Sequence, residues 1–190
     1  MATAFALKLA SIAEDLHTTF HMQNENDPPL GREIARFWKD TGEDFPGVDT
    51  AWSAVFVSAC VKRAGATKAE FKFAAAHAVF VNQAIKNADA GTGVFRGREI
   101  TAHAPQIGDI IQNNRGGGTV NFARARKSSE YLSHSAIVVE TGTDSDGRFA
   151  LTIGGNEGDS IRRTVVRLDS KGLIKQRATN PFICVIEDLK

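Results

Sequence analysis

The sequence is poor in the features that usually announce a function. It has only two cysteines, Cys60 and Cys184. Both sit in apolar surroundings, Ser-Ala-Cys-Val and Phe-Ile-Cys-Val, which favours buried reduced thiols over a disulfide framework or a thiolate metal site. Neither charge is in surplus: a formal net charge of +1 gives no global pull toward nucleic acid or membrane, so partners have to be argued from a site. No run approaches the roughly 18 apolar residues that a spanning helix needs. The opening residues lack a basic start followed by an unbroken apolar core. The expectation is a chain made in the cytoplasm without a cleaved leader and without a membrane span. The glycines at 91, 93 and 97 do not lead from a strand into a helix, so no phosphate-binding loop is expected. His17 and His21 are four apart, a spacing able to grip a metal, but no third ligand lies nearby. No metal and no cofactor is expected.

What is present suits one globular unit. Hydrophobic residues make up 42% and charged residues 24% of a 190-residue chain, long enough for a real core and short for two. We read residues 1–190 as a single domain, with 1–45 a helical extension and 49–188 the core. Phe5, Leu9, Ile12, Leu16 and Phe20 recur at helical spacing and predict an amphipathic helix over 3–22. Pro28 and Pro29 predict a polar loop that ends it, followed by a short helix over 30–41. A further helix is predicted over 74–86, with His77 its one notable polar residue. Residues 91–104 read as irregular. Residues 113–129 read as a long loop carrying Arg115, Arg124, Arg126 and Lys127, cations suited to the carboxylates of an anionic peptide or to a solvated face. β-Branched runs over 135–141, 148–154, 160–168 and 182–187, with Asp144-Ser145-Asp146-Gly147 as a hairpin turn, complete an α+β pattern with an antiparallel sheet.

The stretch 49–65 organises the rest. Val55, Phe56, Ala59 and Val61 leave almost no polar face before Lys62 and Arg63, and Gly65 supplies a stop signal, so the helix is expected inside the fold. Ser53 stands at its start, where unpaired N–H groups and the positive end of the macrodipole assist a nucleophile and a developing oxyanion. A plain capping serine would occupy the same place.

Trp52-Ser53-Ala54-Val55-Phe56-Val57 resembles the Trp-Cys-Ala-Ala-Phe-Val signature of papain-like cell-wall amidases and peptidases of the NlpC and CHAP type, with Ser in place of the catalytic Cys. Three later blocks agree in order: Pro105-Gln106-Ile107-Gly108-Asp109-Ile110-Ile111, His134-Ser135-Ala136-Ile137-Val138-Val139 and Ile153-Gly154-Gly155-Asn156-Glu157. The Trp-Ser-Ala form is similar to a branch of uncharacterised domains that carry Ser natively. The resemblance implies a papain-like fold with helices packed on a curved sheet, Ser53 as nucleophile, His134 as base and Asn156 as its orienting partner. It also implies that Asp49, Trp52, His77, Asp109, Arg115 and Gly155 shape the site.

The activity so implied is hydrolysis of amide bonds in peptidoglycan peptides by an effector or lysin, exported by a type VI-like or phage route. Its partners would be peptidoglycan or a peptide, with a cognate inhibitor or a secretion-apparatus protein, and no nucleic acid. Two other readings share the scaffold: a catalytically silent binding module for a host or rival protein, and a deamidase or transferase. Serine decides among them, because a hydroxyl must be deprotonated during attack by an aligned base, whereas a thiol gives up its proton readily.

Overall fold

The apolar stripe that begins at Phe5 is a helix in the computed structural model, which describes residues 2–190. This helix, α1 (Ala4–Phe20), is capped by Thr3, whose Oγ1 accepts from the N–H of Ala6 at 3.0 Å, and it buries Phe5, Leu9, Ala13 and Leu16. The next helix, α2 (Pro28–Thr41), starts two residues before the expected position. Pro28 and Pro29 do not extend the loop; they fill the first helical turn, where a missing N–H costs no intrahelical bond. Every residue of α3 (Ser53–Ala64) is buried except Lys62 and Arg63, as its unbroken apolar run requires. Arg63 reaches Glu33 at 2.6 Å and Asp40 at 2.7 Å on α2, which anchors the far end of α3.

The fourth helix, α4 (His77–Ala90), begins at His77, three residues later than expected. The hydroxyl of Ser58 on α3 bonds both the carbonyl and the N–H of Ala74, at 3.0 and 3.2 Å. Those groups are therefore unavailable to a helix, and Ala76 is extended. The expected long loop contains a six-residue helix, α5 (Phe122–Lys127), held by Asn82, whose Nδ2 donates to the carbonyls of Ala125 and Arg126.

Six strands form one antiparallel sheet in the order β1-β6-β2-β3-β4-β5. They are β1 (Phe95–Arg98), β2 (Ile110–Asn114), β3 (Ser133–Asp144), β4 (Gly147–Gly154), β5 (Arg162–Arg167) and β6 (Phe182–Asp188). The first lies in the stretch expected to be irregular: its four residues carry little pattern, and it exists by pairing with β6, Phe95 opposite Asp188. The expected hairpin joins β3 to β4 through Asp144 and Gly147.

The central strands are apolar on consecutive positions because both faces of the sheet are covered. Ile110, Ile137, Cys184 and Ile186 join the core under the helices, while their neighbours Ile111, Val138 and Val185 join a second cluster with Ile100, Leu168, Ile174 and Phe182. The larger core runs from Phe5 to Ile186, so α1 and α2 belong to the same α+β unit as the sheet. Cys60 and Cys184 are free and buried, and burial pushes both thiols up, away from reactivity. His17 and His21 stack on each other at 4.8 Å, and among the described residues no group of three His, Cys, Asp or Glu is arranged to hold a metal. Among the same residues no helix is long and apolar enough to cross a membrane.

Candidate active site

Ser53 is the first residue of α3, and Trp52 occupies the capping position. A capping serine would accept from a backbone N–H of the next turn. The Ser53 hydroxyl instead meets Nε2 of His77 at 2.7 Å, and both side chains are buried. The first helical bond runs from the N–H of Phe56 to the carbonyl of Trp52, so the N–H groups of Ser53, Ala54 and Val55 have no acceptor among the described residues.

His77 reaches this position because the Ser58–Ala74 contacts lay the chain along α3 before α4 begins. Phe80 stands edge-on to its ring at 5.5 Å. Burial, and next the charges of His134 and Arg115, hold its pKa well below the usual histidine value, which keeps the ring neutral and able to accept a proton. Nδ1 of His77 is buried without a hydrogen-bond partner.

His134, on β3, lies with its ring centroid 5.4 Å from that of His77 in an edge-to-face arrangement. Its Nε2 bonds Oε1 of Glu157 at 2.8 Å, and Oε2 of Glu157 accepts from Thr164 at 2.8 Å. The expected arrangement of Ser53, His134 and Asn156 is therefore redrawn. The serine's hydrogen-bond partner is His77, and the partner of His134 is Glu157. Asn156 has a left-handed φ of 57°, and its Nδ2 donates to Oε2 of Glu25 at 3.0 Å.

Glu25 was not singled out in the sequence. It is 9% exposed and accepts from both Asn156 and the indole Nε1 of Trp52, the latter at 2.7 Å. It thereby ties the loop after α1 to the residue that precedes Ser53. Nothing local in the sequence marks it, because its partners lie 27 and 131 positions away.

Two glycines make the geometry possible. A Cβ on Gly154 would overlap the His134 ring and the Glu157 carboxylate, and one on Gly155 would lie 2.6 Å from Trp52 and 2.7 Å from Phe56. The end of β4 can thus press against the start of α3. Two other expected site residues lie elsewhere. Asp49 is exposed ahead of α3. Asp109 is buried and accepts from His103 at 2.7 Å, from the N–H of Gln106 at 2.8 Å and from the N–H of Asp188 at 2.9 Å, which makes it a brace between β2 and β6.

A cavity of about 410 Å³ opens beside Ser53 and His77, walled by Ala51, Ala54, Ala75, Ala76, Tyr131 and Leu132, with Arg115 at its border. Its small apolar walls leave room for an apolar group next to the hydroxyl. Arg124, Arg126 and Lys127 are on α5, where Arg126 pairs with Asp89 at 2.8 Å; none of the three lines this cavity.

Residues 20–184 match the model of a family described as "Uncharacterized protein conserved in bacteria (DUF2272)". No curated protein and no solved structure matches the chain.

Proposed function

We propose that this chain, which belongs to the DUF2272 family, is an amide-bond hydrolase of papain-like, NlpC/CHAP-type architecture that acts on peptidoglycan peptides through Ser53. The observation that carries the reading is the 2.7 Å bond between the Ser53 hydroxyl and the neutral, buried imidazole of His77, at a helix N-terminus and beside an open cavity. Ser53 Oγ attacks the amide carbonyl carbon while its proton passes to Nε2 of His77. The oxyanion that forms meets the free N–H groups in the first turn of α3. The C–N bond breaks as the leaving amine takes that proton from His77. Water then attacks the ester carbonyl, giving a proton to His77, and the Ser53 Oγ–carbon bond breaks as His77 returns the proton to the serine, releasing the acid. His134, bonded to Glu157, stands beside His77 and completes the polar side of the site.

The papain-like reading is supported by a nucleophile-bearing buried helix packed on an antiparallel sheet whose strand β3 carries the second histidine.

The test is incubation of wild type, Ser53→Ala and Ser53→Cys with peptidoglycan sacculi, followed by mass spectrometry of released muropeptides. Products from wild type and none from Ser53→Ala are expected. A Ser53→Ala protein that still releases them overturns the reading.

The unpartnered Nδ1 of His77 favours one other reading, a silent binding module, since no group orients that ring as a base. Binding of sacculi by wild type and by Ser53→Ala without soluble product supports the module. A small mass increase in an uncut peptide identifies a deamidase.

A further inference from the structure

A second cavity, of about 290 Å³, adjoins the first at Arg115, which borders both. Its walls include His134, Glu157 and Arg177. Arg177 is held before any ligand arrives: its guanidinium lies 4.4 Å over the ring of Phe182, and its Nε donates to the carbonyl of Asn180 at 3.0 Å. Its two Nη groups have no partner among the described residues, and the guanidinium of Arg115 has none either. The one carboxylate on these walls, Glu157, has both oxygens occupied by His134 and Thr164. The walls thus carry two exposed guanidinium groups and one carboxylate that is already bonded, so the arginines bring one positive charge more than Glu157 offsets.

A planar guanidinium with its two Nη groups free along one edge matches a carboxylate in bidentate fashion, and stacking on an aromatic ring reduces the conformational freedom lost on binding. Because Arg115 borders both cavities, a group held at Arg115 and Arg177 lies next to the cavity at Ser53.

We propose that the second cavity is a carboxylate-binding subsite in which Arg177 and Arg115 hold a free carboxylate of the substrate, while an apolar group enters the alanine-walled cavity at Ser53. The substrate class is then an acidic peptide whose scissile amide lies close to a free carboxylate. This rests on the reading of the site as one that takes a peptide, although carboxylate binding itself needs no turnover.

The experiment has two arms. In the first, the side-chain Nε–H signals of Arg115 and Arg177 are followed by NMR during titration with N-acetyl-alanine and, separately, with its uncharged amide. Saturable shifts with the acid and none with the amide are expected. Arg177→Gln, checked for an unchanged fold by circular dichroism, should remove the response of Arg115, and added salt should weaken it through screening.

In the second arm, kcat/KM is compared for a stem peptide with a free glutamate α-carboxylate and for the same peptide with that group amidated. A preference of about tenfold for the acid is expected, from one charge-assisted interaction, and Arg177→Gln should abolish it. Arginine signals that stay still, or that respond equally to the amide, overturn the subsite whether or not peptides are cleaved. Saturable shifts with no cleavage of either peptide leave the subsite standing and overturn the hydrolase reading.

Discussion

The hydroxyl of Ser53 lies 2.7 Å from Nε2 of His77, across 24 positions of chain that include most of α3 and the segment leading to α4. The imidazole in contact with the serine is therefore supplied by a helix, and the sheet supplies a second imidazole beside it. Their environments differ: His77 is buried with the Ser53 hydroxyl as its one hydrogen-bond partner among the described residues, whereas His134 is bonded to a carboxylate.

That difference sets a pH test. Burial, His134 and Arg115 lower the pKa of His77, so it stays neutral at pH values where an ordinary histidine of pKa 6.5 is protonated. Activity that needs neutral His77 persists as pH falls through 6.5 and is lost only below it. The acid limb of kcat/KM should lie below that value in wild type. A limb at or above it would give the base role to another group. His77→Gln should lower kcat by about a hundredfold or more, the usual contribution of a general base.

Glu25 should prove a keystone for the start of α3. Replacing it by Ala leaves the fully buried indole N–H of Trp52 without an acceptor. An unsatisfied buried donor costs about 1–3 kcal/mol. Urea unfolding followed by tryptophan fluorescence should show that loss for Glu25→Ala and a smaller one for Glu25→Gln, which retains a carbonyl oxygen. Equal stability of Glu25→Ala and wild type would remove the keystone role.

Gly155→Ala places a methyl group 2.6 Å from Trp52 and 2.7 Å from Phe56, both fully buried. Neither ring has space to retreat, so a cost of about 1–3 kcal/mol from overpacking is expected. Thermal denaturation measures it. Because the displaced helix is the one that carries Ser53, activity should fall further than stability alone explains.

The cluster of His103, Asp109 and Asp188 should make stability fall with rising pH. Burial raises the pKa of Asp188 from 3.8 to about 6, aided by the charge of Asp109. A raised folded-state pKa on an acid means that the native state holds the extra proton. Its contribution is full below the unfolded value of 3.8 and is lost as pH rises to about 6. His103 acts in the same direction. Burial lowers its pKa, but the hydrogen bond and charge of Asp109 outweigh that and raise it above 6.5, so its contribution is lost at higher pH still. Asp188→Asn should flatten the fall between pH 4 and 6 in urea titrations. An unchanged slope would show that Asp188 is not its source.

Much of the fold was legible in the residues because its signals are local. The period of Phe5, Leu9 and Leu16 marks α1, and the unbroken apolar run up to Gly65 marks a buried α3. The Asp144–Gly147 turn marks the β3–β4 hairpin. Local signals failed where long-range partners decide. Four residues of β1 become a strand by pairing with β6, and Ala74 is kept out of α4 by a serine 16 positions earlier.

The same division runs through the site. The sequence by itself determined that a small hydroxyl would stand at the N-terminus of a buried helix, and it pointed to His77, His134 and the end of β4 as neighbours. Only the tertiary structure decided which imidazole the hydroxyl meets and which side chain holds the other one. The left-handed backbone of Asn156 accompanies its bond to Glu25, and Glu157, one residue later, meets His134. Adjacent residues on a turn point in different directions, and Glu25 is 131 positions from Asn156. Contacts of that range arise from the packing of α1 and α3 against the sheet, which no local pattern encodes.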